Sequence, residues 1–289
     1  MPHPELPPDL PSVVARALEE DIGTGDVTAD LIPAACRAAA VVVSREDAVL
    51  CGAAWFNEVF AQLDVTVSIQ WSAGDGDRIM PGTELCRLSG PARTLLSGER
   101  TALNFLQALS GTATVSRRYA EAVAGTGCRV LDTRKTIPGL RAAQKYAVAC
   151  GGATNHRHGL YDAILIKENH IISAGGIAAA LHAARRAHPG LSVEIEVESL
   201  AELDEALAAG ADIVLLDNLE LELLRAAVAR VRERSGCMTR LEASGNVELA
   251  NVRAIAETGV DFVSVGGLTK HVRAVDLSMR FRLDPSPGR

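Results

Sequence analysis

Aromatic residues make up only 3% of this 289-residue chain. Its core must therefore come from Ala, Val, Leu and Ile, small side chains that suit close packing of helices on a sheet. Basic residues are not in excess: the formal charge is −7, which argues against a general nucleic-acid binder. A few clustered cations could still bind a small anion locally. No CxxC pair occurs among the six cysteines, Cys36, Cys51, Cys86, Cys128, Cys150 and Cys237. A zinc site or disulfide framework is thus not expected, and reduced, buried thiols are. The apolar run from Ala38 to Val43 is far too short to span a bilayer. The opening Met1-Pro2-His3-Pro4 lacks the charged and apolar regions of a signal peptide, so a cytoplasmic protein is expected. GxxxxGK[S/T] is absent, and no Ser-His-Asp or Cys-His nucleophile arrangement is readable.

What is present is ordinary in bulk, 48% hydrophobic and 22% charged, and long enough for a large domain plus a smaller one. Pro-rich residues 1–11 lead into a helical pattern over 12–20, closed by the turn-rich segment 21–26. Residues 36–90 read as β-rich, with strands near 38–44, 66–71 and 84–88 and a helix over 53–63. The stretch Gly74–Gly82 resembles the hairpin edge of a biotinyl or lipoyl carrier, but no lysine sits on that turn, so a structural role is expected. Residues 97–124 predict one or two helices, with Ser97 as N-cap and a break at Ser110-Gly111. Beyond Cys128, apolar strands alternate with Ala-rich amphipathic helices. The strands are 129–132, 163–167, 193–197, 213–217, 240–243 and 262–265. The helices are 140–150, 176–187, 200–209, 220–234 and 247–258. Such alternation implies parallel strands joined by right-handed crossovers, and six of them favour a barrel over an open sheet. The expected division is an N-terminal α/β sandwich over 1–115, to which 271–289 returns, and an α/β barrel over 116–270.

Strands covered on both faces should be unbroken apolar runs, so polar interruptions carry information. They fall where such barrels place catalytic groups, at the C-terminal strand ends. In Val193-Glu194-Ile195-Glu196-Val197-Glu198, period two puts three acids on one face. An exposed edge strand could look the same, but inside a barrel inward carboxylates call for cations or polar ligands, and Glu196 stands nearest the centre. Asp217 ends the run Ile213–Leu216. A helix N-cap would explain it alone; beside Glu196, the two acids could hold ribose hydroxyls or a hydrated magnesium ion. Facing them is a cationic set: Arg134 and Lys135 in Asp132-Thr133-Arg134-Lys135-Thr136, His156 and Arg157 after Asn155, Lys167 after Ile164–Ile166, and Arg100. Several cations at one mouth imply a ligand with several negative groups. Ser244-Gly245-Asn246 and Val265-Gly266-Gly267 end the last strands. Small residues there let backbone N–H groups approach a phosphate. His156 and His170 look too isolated for metal ligands.

These segments, with Glu20–Thr28, Glu99–Asn104, Ile137–Arg141 and Lys167-Glu168-Asn169-His170, resemble the quinolinate phosphoribosyltransferase family, also called carboxylating nicotinate-nucleotide pyrophosphorylases. The resemblance spans nearly the whole chain. It implies an N-terminal α/β sandwich and an incomplete parallel α/β barrel, the type II phosphoribosyltransferase architecture. It also implies a homodimer in which Arg100 reaches the neighbouring site. Quinolinate would lie among Arg134, His156, Arg157 and Lys167. Lys135 and Lys167 would meet the pyrophosphate of phosphoribosyl pyrophosphate. Glu196 and Asp217 would hold the ribose and Mg2+, and Thr133 would lie with the substrate. Residues 244–246 and 265–267 would hold the 5′-phosphate. His158 and Tyr161 are assigned no role. The expected activity is phosphoribosyl transfer to quinolinate with decarboxylation. The alternative is a relative with another acceptor, such as the molybdenum-transport-associated members of this scaffold.

Overall fold

The structure, a computed structural model, describes residues 4–234, 236 and 238–283. Cys237 and the opening three residues lie outside the described residues. Cys51, Cys86, Cys128 and Cys150 are free and buried, whereas Cys36 is partly exposed. The chain divides into two compact units, one of residues 1–117, 137–152 and 271–289, the other of 118–136 and 153–270.

In the first unit, α1 (Leu10–Ile22) precedes β1 (Arg37–Ser44), β2 (Ala48–Val49), α2 (Ala53–Leu63), β3 (Ser68–Trp71), β4 (Arg78–Ile79), β5 (Glu84–Pro91) and α3 (Ala92–Ala122), whose last residues belong to the second unit. It also holds α4 (Arg141–Cys150) and the final strand β12 (Leu277–Leu283). Four strands form a sheet in the order β12-β1-β5-β3, with antiparallel pairing throughout. The few aromatics gather here: Trp55 packs on Tyr146, and Phe56 on Phe60 and Trp71, with ring centroids 5.2–5.4 Å apart. Tyr146, Ala147 and Cys150 join this core. That burial draws residues 137–152 out of the expected 116–270 division and into the first unit.

Two expectations fail here for identifiable reasons. Helix α3 runs unbroken through Ser110-Gly111, and Ser97 lies inside it, its hydroxyl donating to Asp26 Oδ2 at 2.6 Å rather than capping. The Ser110 hydroxyl, fully buried, donates to the Cys51 carbonyl at 3.1 Å and accepts the Cys51 N–H at 2.9 Å. A Cβ on Gly111 would meet the Arg273 carbonyl oxygen at 2.1 Å. The dipeptide therefore permits close approach rather than ending the helix. The carrier-like stretch is structural: β4 pairs with β2, and buried Asp75 accepts the N–H groups of Gly52 and Ala53 at the start of α2 and the Tyr146 hydroxyl.

The second unit carries β6 (Arg129–Leu131), β7 (Ile164–Ile166), β8 (Val193–Val197), β9 (Ile213–Asp217), β10 (Arg240–Ser244) and β11 (Phe262–Ser264). They pair in parallel in the order β6-β11-β10-β9-β8-β7. The strands thus follow chain order around the sheet and the last returns to the first. The ladder stays open between β6 and β7, where Thr154 makes an isolated parallel bridge to Leu131. This is the incomplete barrel. Its helices include α6 (Ile177–Ala187), α7 (Leu200–Ala208) and α8 (Leu221–Glu233), close to expectation. The helix expected over 247–258 is only Val252–Ala256, here α9. In its place Asn251 folds the turn, its side chain accepting the Glu248 N–H and donating to the Asn246 carbonyl. Two short helices were not expected: α5 (Glu168–Ala174) and α10 (Gly267–Lys270).

Candidate active site

Residues side by side in a parallel ladder share a face of the sheet, and alternate residues return to it. Glu194 stands beside Leu165 and Ile213, and Glu196 beside Leu215. Leu215 in turn stands beside Glu242, Asp217 beside Ser244, and Ser264 beside Leu131. One face thus collects Glu194, Glu196, Asp217, Glu242, Ser244 and Ser264. The opposite face presents Val193, Ile195, Val197, Val214, Leu216, Leu241, Ala243 and Val263, all buried. The period-two acids of β8 are the visible part of a polar interior.

The cations arrive from loops at the strand ends. Asp132, fully buried just after β6, accepts the His156 N–H at 2.8 Å on Oδ1 and the Asn155 side-chain amide at 2.7 Å on Oδ2. It ties the loop carrying Arg134 to the segment carrying Arg157. Burial and then the charge of Arg134 pull the Arg157 pKa below its usual value, which places the two guanidiniums in each other's field. Arg157 donates to the Ala163 carbonyl at 3.3 Å, and the buried Nε of Arg134 has no hydrogen-bond partner. Among the described residues neither guanidinium has a carboxylate within ion-pair distance. Lys167 does: it is ion-paired with Glu196, although its side chain is half exposed and so does not require a counter-charge as a buried lysine would. The aliphatic stem of Lys135 lies so close to Gly266 that a Cβ there would sit 2.9 Å from its Cδ, and the Lys135 N–H donates to the Thr133 hydroxyl.

Asp217 is no helix cap, since α8 starts at Leu221 with Glu220 as its N-cap. Its Oδ2 accepts the Asn218 amide at 2.8 Å. Asn218 and Asn246 both adopt left-handed backbone, φ 53° and 49°, and Asn246 donates to the Asn218 side chain at 3.3 Å. Gly245, at φ +97°, leaves room for that contact: a Cβ would meet Asn218 Oδ1 at 2.0 Å. The turn 244–246 leads into the Asn251 turn rather than a helix, whereas Gly267 is the first residue of α10.

Two family models match the chain: the quinolinate phosphoribosyl transferase N-terminal domain over residues 26–110 and its C-terminal domain over 112–280. The chain belongs to the quinolinate phosphoribosyltransferase family. A probable carboxylating nicotinate-nucleotide pyrophosphorylase of Synechocystis sp. is 42% identical over 264 residues, 91% of this chain and 89% of the relative. The nicotinate-nucleotide pyrophosphorylase of Mycobacterium leprae is 42% identical over 272 residues, 92% and 95% of the two chains. The solved structure of the Francisella tularensis nicotinate-nucleotide pyrophosphorylase superposes with a TM-score of 0.92 at 47% identity, covering 96% of this chain and 98% of that one. NadC from Streptococcus pyogenes gives 0.93 at 38% identity, covering 98% and 100%.

In this family member, Thr133, Arg134, Lys135, His156, Arg157, Lys167, Glu196, Asp217, 244–246 and 265–267 all belong to the second unit, while Arg100 lies on α3 in the first. The sequence reading missed Glu242 and understated His156, which is not isolated. His156 Nε2 lies 2.8 Å from Glu194 Oε2 and 3.7 Å from Glu242 Oε2. Glu194 and Glu242 are 4% and 1% exposed, and three of their four carboxylate oxygens have no hydrogen-bond partner. A lone acid between Leu241 and Ala243 was the available signal for Glu242. His170 is a local cap, its Nδ1 accepting the Lys167 N–H at 3.0 Å.

Burial, and then the charge of Glu194, push the Glu242 pKa well above its ordinary 4.5. The folded protein therefore holds that proton more tightly than the unfolded chain. The resulting stabilisation is complete below the unfolded value and is lost as pH rises toward the folded one. Glu242→Gln removes this loss. Its stability relative to the unmodified protein should grow as pH rises above about 4.5 in urea titrations; a pH-independent difference would contradict a protonated Glu242.

Proposed function

We propose that this chain transfers the phosphoribosyl group of phosphoribosyl pyrophosphate to the ring nitrogen of quinolinate, releasing pyrophosphate and carbon dioxide and leaving nicotinate mononucleotide. The observation that supports the substrate is that Asp132 ties the loop carrying Arg134 to the segment carrying Arg157, with the charge of Arg134 felt at Arg157 and the buried Arg134 Nε left without a hydrogen-bond partner. A ligand with two adjacent carboxylates relieves that repulsion, each guanidinium offering a planar donor fork. Family membership supplies the rest of the reading.

Chemically, the ring nitrogen's lone pair forms the bond to the ribose C1 as the C1–O bond breaks and its electrons leave with pyrophosphate. Glu196 and Asp217, on adjacent strands, face the positive character that develops on the sugar and accept its hydroxyls. Lys135 and Lys167 stand against the departing pyrophosphate. Quaternising the ring nitrogen lets the carboxylate beside it leave as carbon dioxide, its bonding pair staying on the ring carbon until a proton replaces it. No covalent bond to the protein is needed, because alignment of the two reactants contributes much of the acceleration. Residues 244–246 and 265–267 hold the 5′-phosphate, helped by the small side chains that admit backbone N–H groups.

Magnesium fits the acids present. Lys167 occupies one Glu196 oxygen and Asn218 one Asp217 oxygen, leaving each carboxylate a second, hard oxygen of the kind that meets a hydrated Mg2+. When bound, the ion would neutralise pyrophosphate charge. We further propose a cytoplasmic homodimer in which Arg100 completes the neighbouring subunit's site. No helix among the described residues is long and apolar enough to cross a membrane.

With quinolinate, phosphoribosyl pyrophosphate and Mg2+, the purified chain should release pyrophosphate and carbon dioxide together, and nicotinate should not replace quinolinate. Arg134→Ala should lower kcat/KM for quinolinate by about ten- to a hundredfold or more, from about 1.5–3 kcal/mol per lost charged hydrogen bond. Turnover of a monocarboxylate alone, or an undiminished Arg134→Ala variant, would contradict the assignment. If Arg100 acts across subunits, the impaired Arg100→Ala and Arg134→Ala chains should regain activity when co-assembled. Mixed dimers no more active than either parent would refute that placement.

A further inference from the structure

Glu194 is an acid where the fold alone asks for none. It lies on the interior face of β8, one pleat below Glu196, and its side chain is 5% exposed. A leucine would fill this position without the cost of removing a carboxylate from water. What the carboxylate adds is direction. We infer that Glu194, with Glu242 behind it, is a positioning residue for quinolinate: it fixes the His156 imidazole and, through the adjacent backbone, the Arg157 guanidinium beside Arg134. This deepens the quinolinate reading and rests on it.

The geometry sets the His156 tautomer. The Arg157 backbone N–H lies 2.7 Å from Nδ1, which must accept it, so the ring proton sits on Nε2 and is donated to Glu194 at 2.8 Å. The His156 backbone N–H is meanwhile donated to Asp132 at 2.8 Å. The residue is therefore held at its backbone and at both ring nitrogens. Since Nδ1 grips the N–H of residue 157 itself, the ring's orientation and the path of the chain into Arg157 are one constraint. Such a constraint is needed because Arg134 and Arg157 repel each other before any ligand is bound. The negative charge of Glu194 also offsets part of that repulsion. Removing the carboxylate would leave an imidazole N–H in a buried site without its acceptor, and the ring would turn to find another. Glu194 takes its hydrogen bond from His156 and makes none to the Lys167–Glu196 pair, so phosphoribosyl pyrophosphate binding has no reason to follow.

Steady-state kinetics on Glu194→Ala and Glu194→Gln tests this. Glu194→Ala should raise KM for quinolinate about tenfold or more while KM for phosphoribosyl pyrophosphate stays within about twofold. Glu194→Gln, whose amide oxygen can still accept from Nε2, should return the quinolinate KM to within about threefold of the unmodified enzyme. Equal damage to both KM values, equal damage by Ala and Gln, or no change would overturn the inference. Nitrogen-15 NMR of histidine-labelled unmodified protein serves where a variant fails to fold: Nε2 of His156 should carry a proton and Nδ1 should act as acceptor, and an Nδ1–H tautomer would refute the constraint. Metal analysis finding a stoichiometric ion that is lost on Glu194→Ala would likewise overturn it, in favour of a cation held by His156, Glu194 and Glu242. An unmodified enzyme inactive with quinolinate would remove the functional reading and this inference with it. An active one indifferent to Glu194→Ala would remove this inference alone.

Discussion

Buried Asp132 joins the loop after β6, which carries Arg134, to the segment before β7, which carries Arg157, at the place where the barrel ladder is open and Thr154 makes an isolated bridge. The gap between the first two strands is therefore where a short polar tie does the work that backbone pairing does elsewhere. The result is a mouth in which positive charge is concentrated before a ligand arrives, and binding an anion there requires little rearrangement.

Opposite this, the acids are separated by depth. Glu196 and Asp217 sit at the strand ends, one oxygen of each engaged by a neighbouring side chain and the other available. Glu194 and Glu242 lie deeper, where water is excluded and burial favours the protonated form of Glu242. Four carboxylates of similar chemistry thus differ by environment: the outer two each keep an unengaged oxygen at the strand ends, and the inner two lie beside the His156 imidazole. The aliphatic face of the same strands, Val193 to Val197 and Val214 to Leu216, supplies the rigid backing for both layers.

Much of this was legible in the sequence because buried parallel strands allow few polar residues. Glu196, Asp217 and Lys167 stand out as interruptions of apolar runs, and strand bounds for Val193–Val197 and Ile213–Asp217 matched the pattern. What stayed hidden depended on long-range packing. Ser110-Gly111 reads as a helix break until the Arg273 carbonyl is seen against Gly111. Residues 137–152 read as part of the barrel until Tyr146 is seen packed at a tilt against Trp55. Glu242 is a single acid in a short strand, and only register places it beside Leu215 and within reach of His156. The helix expected over 247–258 was overridden by the Asn251 turn, a local hydrogen-bonding choice that periodicity does not register.

Arg134 and Arg157 are proposed as a preformed site for a dianion. Isothermal titration calorimetry of quinolinate and of nicotinate into the protein, without phosphoribosyl pyrophosphate, tests it most directly. Quinolinate should bind at least about tenfold more tightly, the worth of roughly one additional charged contact of about 1.4 kcal/mol. Equal affinity for the two acids would contradict it.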